Sequence, residues 1–337
     1  MAQVAERAGV SLMTVSYSYN DPDRVSAELR DRVLKAAAAL GYGGPDPRAR
    51  SLRSGAERTL GVVLGERLNY AFDDPQAVQF LAGIAEVCAE HGFGLTILPI
   101  SGSDADVRRV QDAAVDGFVL WTTSDDDPVL EAVAATRRPA AIQGGPGRTG
   151  ITLVTPDDRA AARAIATRAF HAARRPAVVS FPLDRGRISA TIPGADLPPA
   201  AFPVTRHRLE GFRDAAADLG IDWSTVPVAV CAVNDADTAA AAVRSLLETG
   251  CDAIATMSDQ QALGALRAAE ELGRSVPEAV AVTGWDDSQT ARERDLTSVA
   301  QSLREQGRAC AVAALGGVAQ SGEFDAWSIV VRGSTRG

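Results

Sequence analysis

From Thr59 onward, short unbroken apolar runs alternate with amphipathic stretches, and the pattern restarts after Asp157. Leu60-Gly61-Val62-Val63-Leu64, Leu95–Ile100 and Gly117–Trp121 read as strands, with helices over Ala77–Glu90 and Asp104–Ala114. The second round has a helix up to Phe170 and strands at Ala177–Phe181, Val228–Cys231, Ala253–Thr256 and Val280–Thr283. Helices over Ala236–Thr249 and Asp259–Leu272 separate its later strands. Strands that are apolar on both faces, set between helices, demand parallel sheets covered on both sides. Two such rounds predict two similar α/β subdomains with a cleft between them. Ser180 to His207 departs from the rhythm: it holds five prolines and predicts an extra loop near that cleft.

The first sixty residues follow different rules. Val4, Ala5 and Ala8 share one helical face, and Gly9 supplies a C-terminal cap or tight turn. Val10 is expected between two helices, and Ser11 is placed to cap the second, which runs over Leu12–Tyr19 and ends at Asn20-Asp21-Pro22. A third helix from Ser26 to Leu40 turns Leu29, Val33, Leu34, Ala37 and Leu40 inward, with Gly41 ending it. Helix, glycine turn, helix is a helix-turn-helix. Charge divides the same way. Residues 1–58 carry nine Arg or Lys against seven Asp or Glu, while the rest carries 25 against 36, so a net −9 chain has a mildly basic head on an acidic body.

The order A-x-x-A-G-V-S-x-x-T-V-S over residues 5–16, followed by Asn20, narrows this further. With Val25-Ser26, Arg32-Val33, Ala36-Ala37, Leu40-Gly41-Tyr42 and Ala49-Arg50-Ser51-Leu52, residues 4–58 resemble the DNA-binding head of the lac repressor (LacI/GalR) family of bacterial transcription regulators. The resemblance implies that the second helix enters the major groove. Leu12, Met13 and Tyr17 would face base edges, Ser11, Thr14 and Ser16 would approach phosphates, and Asn20 belongs to the same interface. Position 17 often carries Arg in the family, able to grip guanine twice; Tyr17 cannot, so operator preference should differ from that of Arg-bearing members. The family also has a few residues ahead of the point where Met1 stands, so a shortened start and a frayed first turn are expected.

Pro45 to Ser54 reads from composition as a charged linker. The resemblance implies a hinge helix that forms on DNA, with Arg48 and Ala49 at the DNA and Leu52 wedged into the minor groove. A helix of about seven residues is unstable alone, and kinking DNA costs a few kcal/mol per unstacked step, so such a hinge is poised for switching.

The body resembles the same family, which has the fold of periplasmic sugar-binding proteins. Leu60–Val63, Gly83-Ile84, Val115-Asp116-Gly117, Arg208-x-x-Gly211-Phe212, Ser258-Asp259-x-x-Ala262–Leu266 and Gly284-Trp285-Asp286-Asp287 carry the likeness. Ligands of such sheets sit at the carboxyl ends of strands. Phe72, Ser101, Ser124, Gln143, Arg208, Ser258, Trp285 and Asp286 are the candidate effector-binding residues there. Arg208 and Asp286 match positions the family uses to hydrogen-bond small effectors, and Trp285 would cover a ligand's apolar face. Ser258 and Gln143-Gly144-Gly145 replace the family's frequent Asn and Asp-Arg-Pro.

The architecture so expected is a helix-turn-helix head over 1–44 and a hinge over 45–58. The body is a periplasmic-binding-protein-like pair of doubly wound parallel-sheet subdomains: 59–156 with 287–316, and 157–286 with 317–337. The function so expected is that of a cytoplasmic, homodimeric, DNA-binding repressor controlled by a small polar, sugar-like effector. A solute-binding protein shares the body but would need export and no head. An α/β enzyme would need a motif this chain lacks: there is no G-x-G-x-x-G after the first strand, no G-x-S-x-G elbow, and the glycine-rich 144–150 turn has no phosphate-loop lysine. Asp125-Asp126-Asp127 and Asp157-Asp158 stand at strand-to-helix boundaries, where capping suits acidic residues better than a metal does. Cys88, Cys231, Cys251 and Cys310 are scattered in apolar contexts and read as buried thiols. No cofactor or metal is expected, and no run of about 18 apolar residues suggests a membrane span.

Overall fold

The computed structural model describes residues 1–43, 57–65, 68–101, 103–320 and 324–336, with Asn20 described by its backbone alone. Arg48, Ala49 and Leu52, with the rest of residues 45–56 of the expected hinge, lie outside the described residues. The chain forms two compact units, Met1–Glu57 and Arg58–Gly337.

The first unit holds α1 (Ala2–Ala8), α2 (Leu12–Asn20), a 3-10 turn (Pro22–Arg24) and α3 (Ala27–Ala39). Gly9 ends α1 in the left-handed region at φ 63°. The Ser11 Oγ accepts from the Thr14 amide and starts α2, and the Ser26 Oγ does the same for α3 through Leu29. Val4, Ala5, Ala8, Val15, Val33, Ala36 and Ala37 form the core. Leu34 and Leu40, expected inside, are exposed. The buried stripe of α3 runs through Val33, Ala36 and Ala37; Leu34 is one residue off that stripe, and Leu40 stands past the last helical residue.

The second unit contains two sheets. The first has order β2-β1-β3-β4-β5, formed by β1 (Thr59–Leu64), β2 (Gly94–Pro99), β3 (Gly117–Trp121), β4 (Ala140–Gln143) and β5 (Thr152–Val154), all parallel. Its helices are α4 (Tyr70–Asp73), α5 (Pro75–His91), α6 (Asp104–Gln111) and α7 (Pro128–Ala135). The 144–150 turn feeds β5 rather than a helix N-terminus, so it offers no phosphate cradle.

The second sheet has order β12-β11-β10-β9-β6-β8-β7, from β6 (Pro176–Ser180), β7 (Ala190–Pro193), β8 (Pro227–Val230), β9 (Ala253–Thr256), β10 (Ala281–Trp285), β11 (Thr297–Ala300) and β12 (Ser328–Val330). Only its edges, β7 and β12, pair antiparallel. Its helices are α8 (Asp158–Phe170), α9 (Pro203–Asp218), α10 (Ala236–Glu248), α11 (Asp259–Glu271) and α12 (Gln289–Glu293). The proline-rich segment thus contributes an edge strand and enters α9 through Pro203. Because β11 pairs with β10, the stretch 287–300 belongs to the second subdomain, not the first as expected. The chain returns to the first only at α13 (Leu303–Ala314), whose Leu303, Ala311 and Ala314 join the core of the first sheet. A Cβ on Gly83 of α5 would land on the Arg304 carbonyl, and one on Gly307 of α13 on the Phe80 carbonyl, so these two helices cross backbone to backbone.

Candidate functional site

Two surfaces concentrate the candidate residues. On α2, Val15 and Ser18 point into the core, whereas Leu12 and Met13 are 54% and 62% exposed, with Thr14, Ser16 and Tyr17 partly exposed beside them. The Ser11 Oγ is engaged in capping and lies 2.9 Å from the Thr14 hydroxyl. A helix whose face carries large apolar side chains that bury nothing inside its own unit is built to be covered by something else.

The second surface is a cleft between the sheets of the body, a cavity of about 460 Å³. Arg208 of α9 forms its floor and is itself buried. Its Nε donates to the Asp158 carboxylate at 2.8 Å and its Nη1 to the Met257 carbonyl at 2.6 Å. Its guanidinium stacks 3.7 Å from the Trp285 ring centroid and 5.6 Å from that of Phe181. Asp158 begins α8, so its charge is favoured by the helix N-terminus as well as by Arg208.

Asp286 follows β10 at φ 109°, a left-handed conformation costly for any residue but glycine. Its carboxylate accepts from Gln301 Nε2 at 2.8 Å. Gln301 accepts from Gln306 at 3.2 Å, and Gln306 from Gln143 at 2.7 Å. This chain of amides runs from β4 of one subdomain to β10 of the other through the segment joining them. Burial first, then the Asp259 carboxylate, pushes the Asp286 carboxyl well above the usual range, against the pull of Arg208.

Asp74 caps α5 through the Gln76 and Ala77 amides, and burial raises its carboxyl too. It also accepts from Asn234 at 3.0 Å, across the cleft. Asn234 in turn accepts from the Ser258 hydroxyl at 2.5 Å, the same hydroxyl that caps α11. Tyr70 and Trp121 supply the aromatic wall of the first subdomain, with Phe80 4.9 Å behind Trp121. The extra segment closes one side. Arg206 binds Asp125 at 2.5 Å, Arg185 binds Asp126 at 3.0 Å, Arg187 donates to the Gly65 carbonyl at 3.1 Å, and the Asp125 amide donates to Ala201.

Of the cleft residues expected from sequence, Gln143, Arg208, Ser258 and Asp286 line one cavity. Phe72, Ser101, Ser124 and Trp285 lie outside its lining. Phe72 is 63% exposed on α4. Ser101 is drawn to Asp106 in the cap of α6, and Ser124 is buried and donates to Asp126. Trp285, the last residue of β10, is wholly buried beneath the Arg208 guanidinium, which covers its ring. Sequence reading missed Tyr70, Asp74, Trp121, Asn234 and Gln301, although Trp121 and Gln301 end or follow strands where ligands sit. Asp127 and Asp157 cap helices as expected, whereas Asp158 is the partner of Arg208. The four cysteines are buried, and among the described residues no cluster of three or more His, Cys, Asp or Glu side chains could hold a metal.

Residues 1–44 match the model of bacterial regulatory proteins of the lacI family, and residues 192–335 match a periplasmic binding protein-like domain. The chain is 36% identical to the HTH-type transcriptional regulator IpsA of Corynebacterium glutamicum over 91% of its own length and 88% of that protein's. A solved lacI-family regulator from Corynebacterium glutamicum is similar across 99% of this chain and 98% of its own, with 30% identity and a TM-score of 0.73. The solved regulator CelR, in complex with cellobiose, is similar over 98% of both chains, with 26% identity and a TM-score of 0.68. Its relatives are transcriptional regulators rather than enzymes, and this chain belongs to the lacI family of DNA-binding bacterial transcription regulators.

Proposed function

We propose that this regulator is a cytoplasmic repressor that binds a pseudo-palindromic operator as a homodimer and responds to a small sugar-like effector held in the body cleft. A single recognition helix reads only a few base pairs, and pairing two half-sites is the general remedy. In this reading Leu12, Met13 and Tyr17 meet base edges, Ser11, Thr14 and Ser16 meet phosphates, Asn20, Arg48 and Ala49 belong to the same DNA interface, and Leu52 enters the minor groove.

The observation that carries the effector reading is the convergence of Arg208 and Asp286 on one cavity beside an aromatic wall. Arg208 offers only donors, while Asp286, its carboxyl raised by burial, both donates and accepts when protonated. Around them Asn234, Ser258, Gln143 and Gln301 add paired donors and acceptors. This complement suits a ring carrying several hydroxyls, whose apolar face Tyr70 and Trp121 would cover. CelR's complex with cellobiose supports a sugar here. Closing the subdomains on such a ligand changes operator affinity only as far as the ligand prefers one state.

The test is a gel shift with the full chain on DNA upstream of its own gene, repeated with a panel of neutral sugars and cyclic polyols, and then calorimetry with any that acts. A shift that a polyol reverses, and that Asp286→Ala renders insensitive, is expected. No shift on that DNA or on a selected palindrome breaks the DNA reading, and calorimetric binding that Asp286→Ala leaves intact breaks the site. Affinity should also drop about 10³–10⁵-fold between roughly 50 and 200 mM salt if about 6–10 phosphates are neutralised.

A further inference from the structure

Met13 and Tyr17 stand four residues apart, one above the other on α2. Arg24, in the 3-10 turn that follows, lies over the Tyr17 ring at 5.2 Å from its centroid. Its Nη1 donates to the Tyr17 hydroxyl at 3.2 Å, and its Nε pairs with the Asp21 carboxylate at 3.1 Å. Leu12, Met13, Tyr17 and Arg24 thus make one ridge. The first two have no hydrogen-bonding atoms suited to a base edge and can only meet a thymine methyl. A ridge that reads bases by hydrogen bonds must do so through Tyr17 or the cation stacked on it. Other cations of the head are turned to different tasks: Arg30 donates to the Ser18 carbonyl and Lys35 pairs with Asp31.

A long exposed arginine ordinarily surrenders much rotamer freedom on binding. Here the ring, the hydroxyl and the carboxylate hold the guanidinium before DNA arrives, with Nη2 at the end of its fork. That planar fork matches the O6 and N7 atoms of guanine.

We propose that Arg24 is a specificity-determining residue that reads one guanine in each operator half-site, that Tyr17 positions it, and that Leu12 and Met13 select neighbouring thymines. The inference rests on α2 being the groove-reading helix.

The probe is the duplex that the purified full chain selects from randomised palindromic DNA, with each half-site guanine replaced in turn by 7-deazaguanine. At one position this loss of N7 should weaken the parent, and any other base there should cost roughly 5- to 150-fold. Arg24→Ala, which leaves no hydrogen-bonding group there, should bind all four bases at that position about equally and ignore the 7-deaza change, while keeping preferences elsewhere. Tyr17→Phe, which keeps the ring and loses the hydroxyl, should blunt discrimination at that position alone. Circular dichroism melts confirm that the variants fold. The inference is overturned if Arg24→Ala weakens every sequence alike and lowers the salt slope by about 1, the signature of a phosphate contact, or if it binds like the parent. A parent that selects no sequence overturns the DNA-binding reading itself.

Discussion

The exposed face of α2 and the floor of the cleft are built in opposite ways. On α2, the exposed side chains are separate from those that hold the fold: Leu12 and Met13 stand out while Val15 joins the head core. In the cleft the two sets coincide. Arg208 faces the cavity, yet it is buried, paired with Asp158 and stacked on the wholly buried Trp285. The exposed residues of α2 can therefore change while the fold persists, whereas those of the cleft floor are bound into the core of the body.

The largest effect that tests this contrast is Arg208→Ala. It strands Asp158 as a buried, unpaired charge, and we expect a loss of about 3–5 kcal/mol in body stability, measured by urea unfolding. A loss below about 1 kcal/mol would make the cleft floor as replaceable as the helix face.

Asp286→Asn works in the other direction. The raised carboxyl of Asp286 means that the folded chain holds its proton more tightly than the unfolded chain does. The stability it contributes is fully present below the unfolded value, near pH 4, and is lost as pH rises through the raised folded value. Asparagine keeps an acceptor for Gln301 and removes the charge, so the variant should be more stable than the parent near pH 7, with the gain shrinking to nothing below about pH 4. Unfolding free energies measured across that range decide it; a parent more stable at pH 7 would contradict the burial argument.

A smaller effect is expected from Ser11→Ala, which removes the α2 cap and should cost the head about 1 kcal/mol, seen in calorimetry as an earlier transition of the first unit. Least of all, Leu12→Ala and Met13→Ala should alter head stability by no more than about 0.5 kcal/mol while weakening operator binding. If they destabilise the head like core truncations, the exposed and core faces of α2 are not separate.

Much of the body was legible because buried strands and amphipathic helices differ in period: β3 and β9 have the predicted bounds of Gly117–Trp121 and Ala253–Thr256. What misled was burial of polar residues. Thr297 and Ser298 of β11 look like a surface loop, yet both are fully buried, with Thr297 accepting from the Arg332 amide and Ser298 donating to Asp259. Overlooking that strand moved the crossing between subdomains from near residue 301 to 287 and hid Gln301 from the site. Trp285 misled for a related reason: adjacency to Asp286 in sequence suggested a shared surface, whereas the indole lies wholly buried beneath Arg208.

By itself the sequence determined the head, because its helix caps, glycine turn and apolar spacing are local interactions within about forty residues, and it determined the layered α/β class of the body for the same reason. Only the tertiary structure decided which polar residues share the cleft. Asp158 with Arg208, Asp74 with Asn234, and Gln143 with Gln301 by way of Gln306 lie far apart in the chain. They meet because hydrogen bonds and ion pairs depend on distances of about 3 Å, and no local pattern encodes such distances.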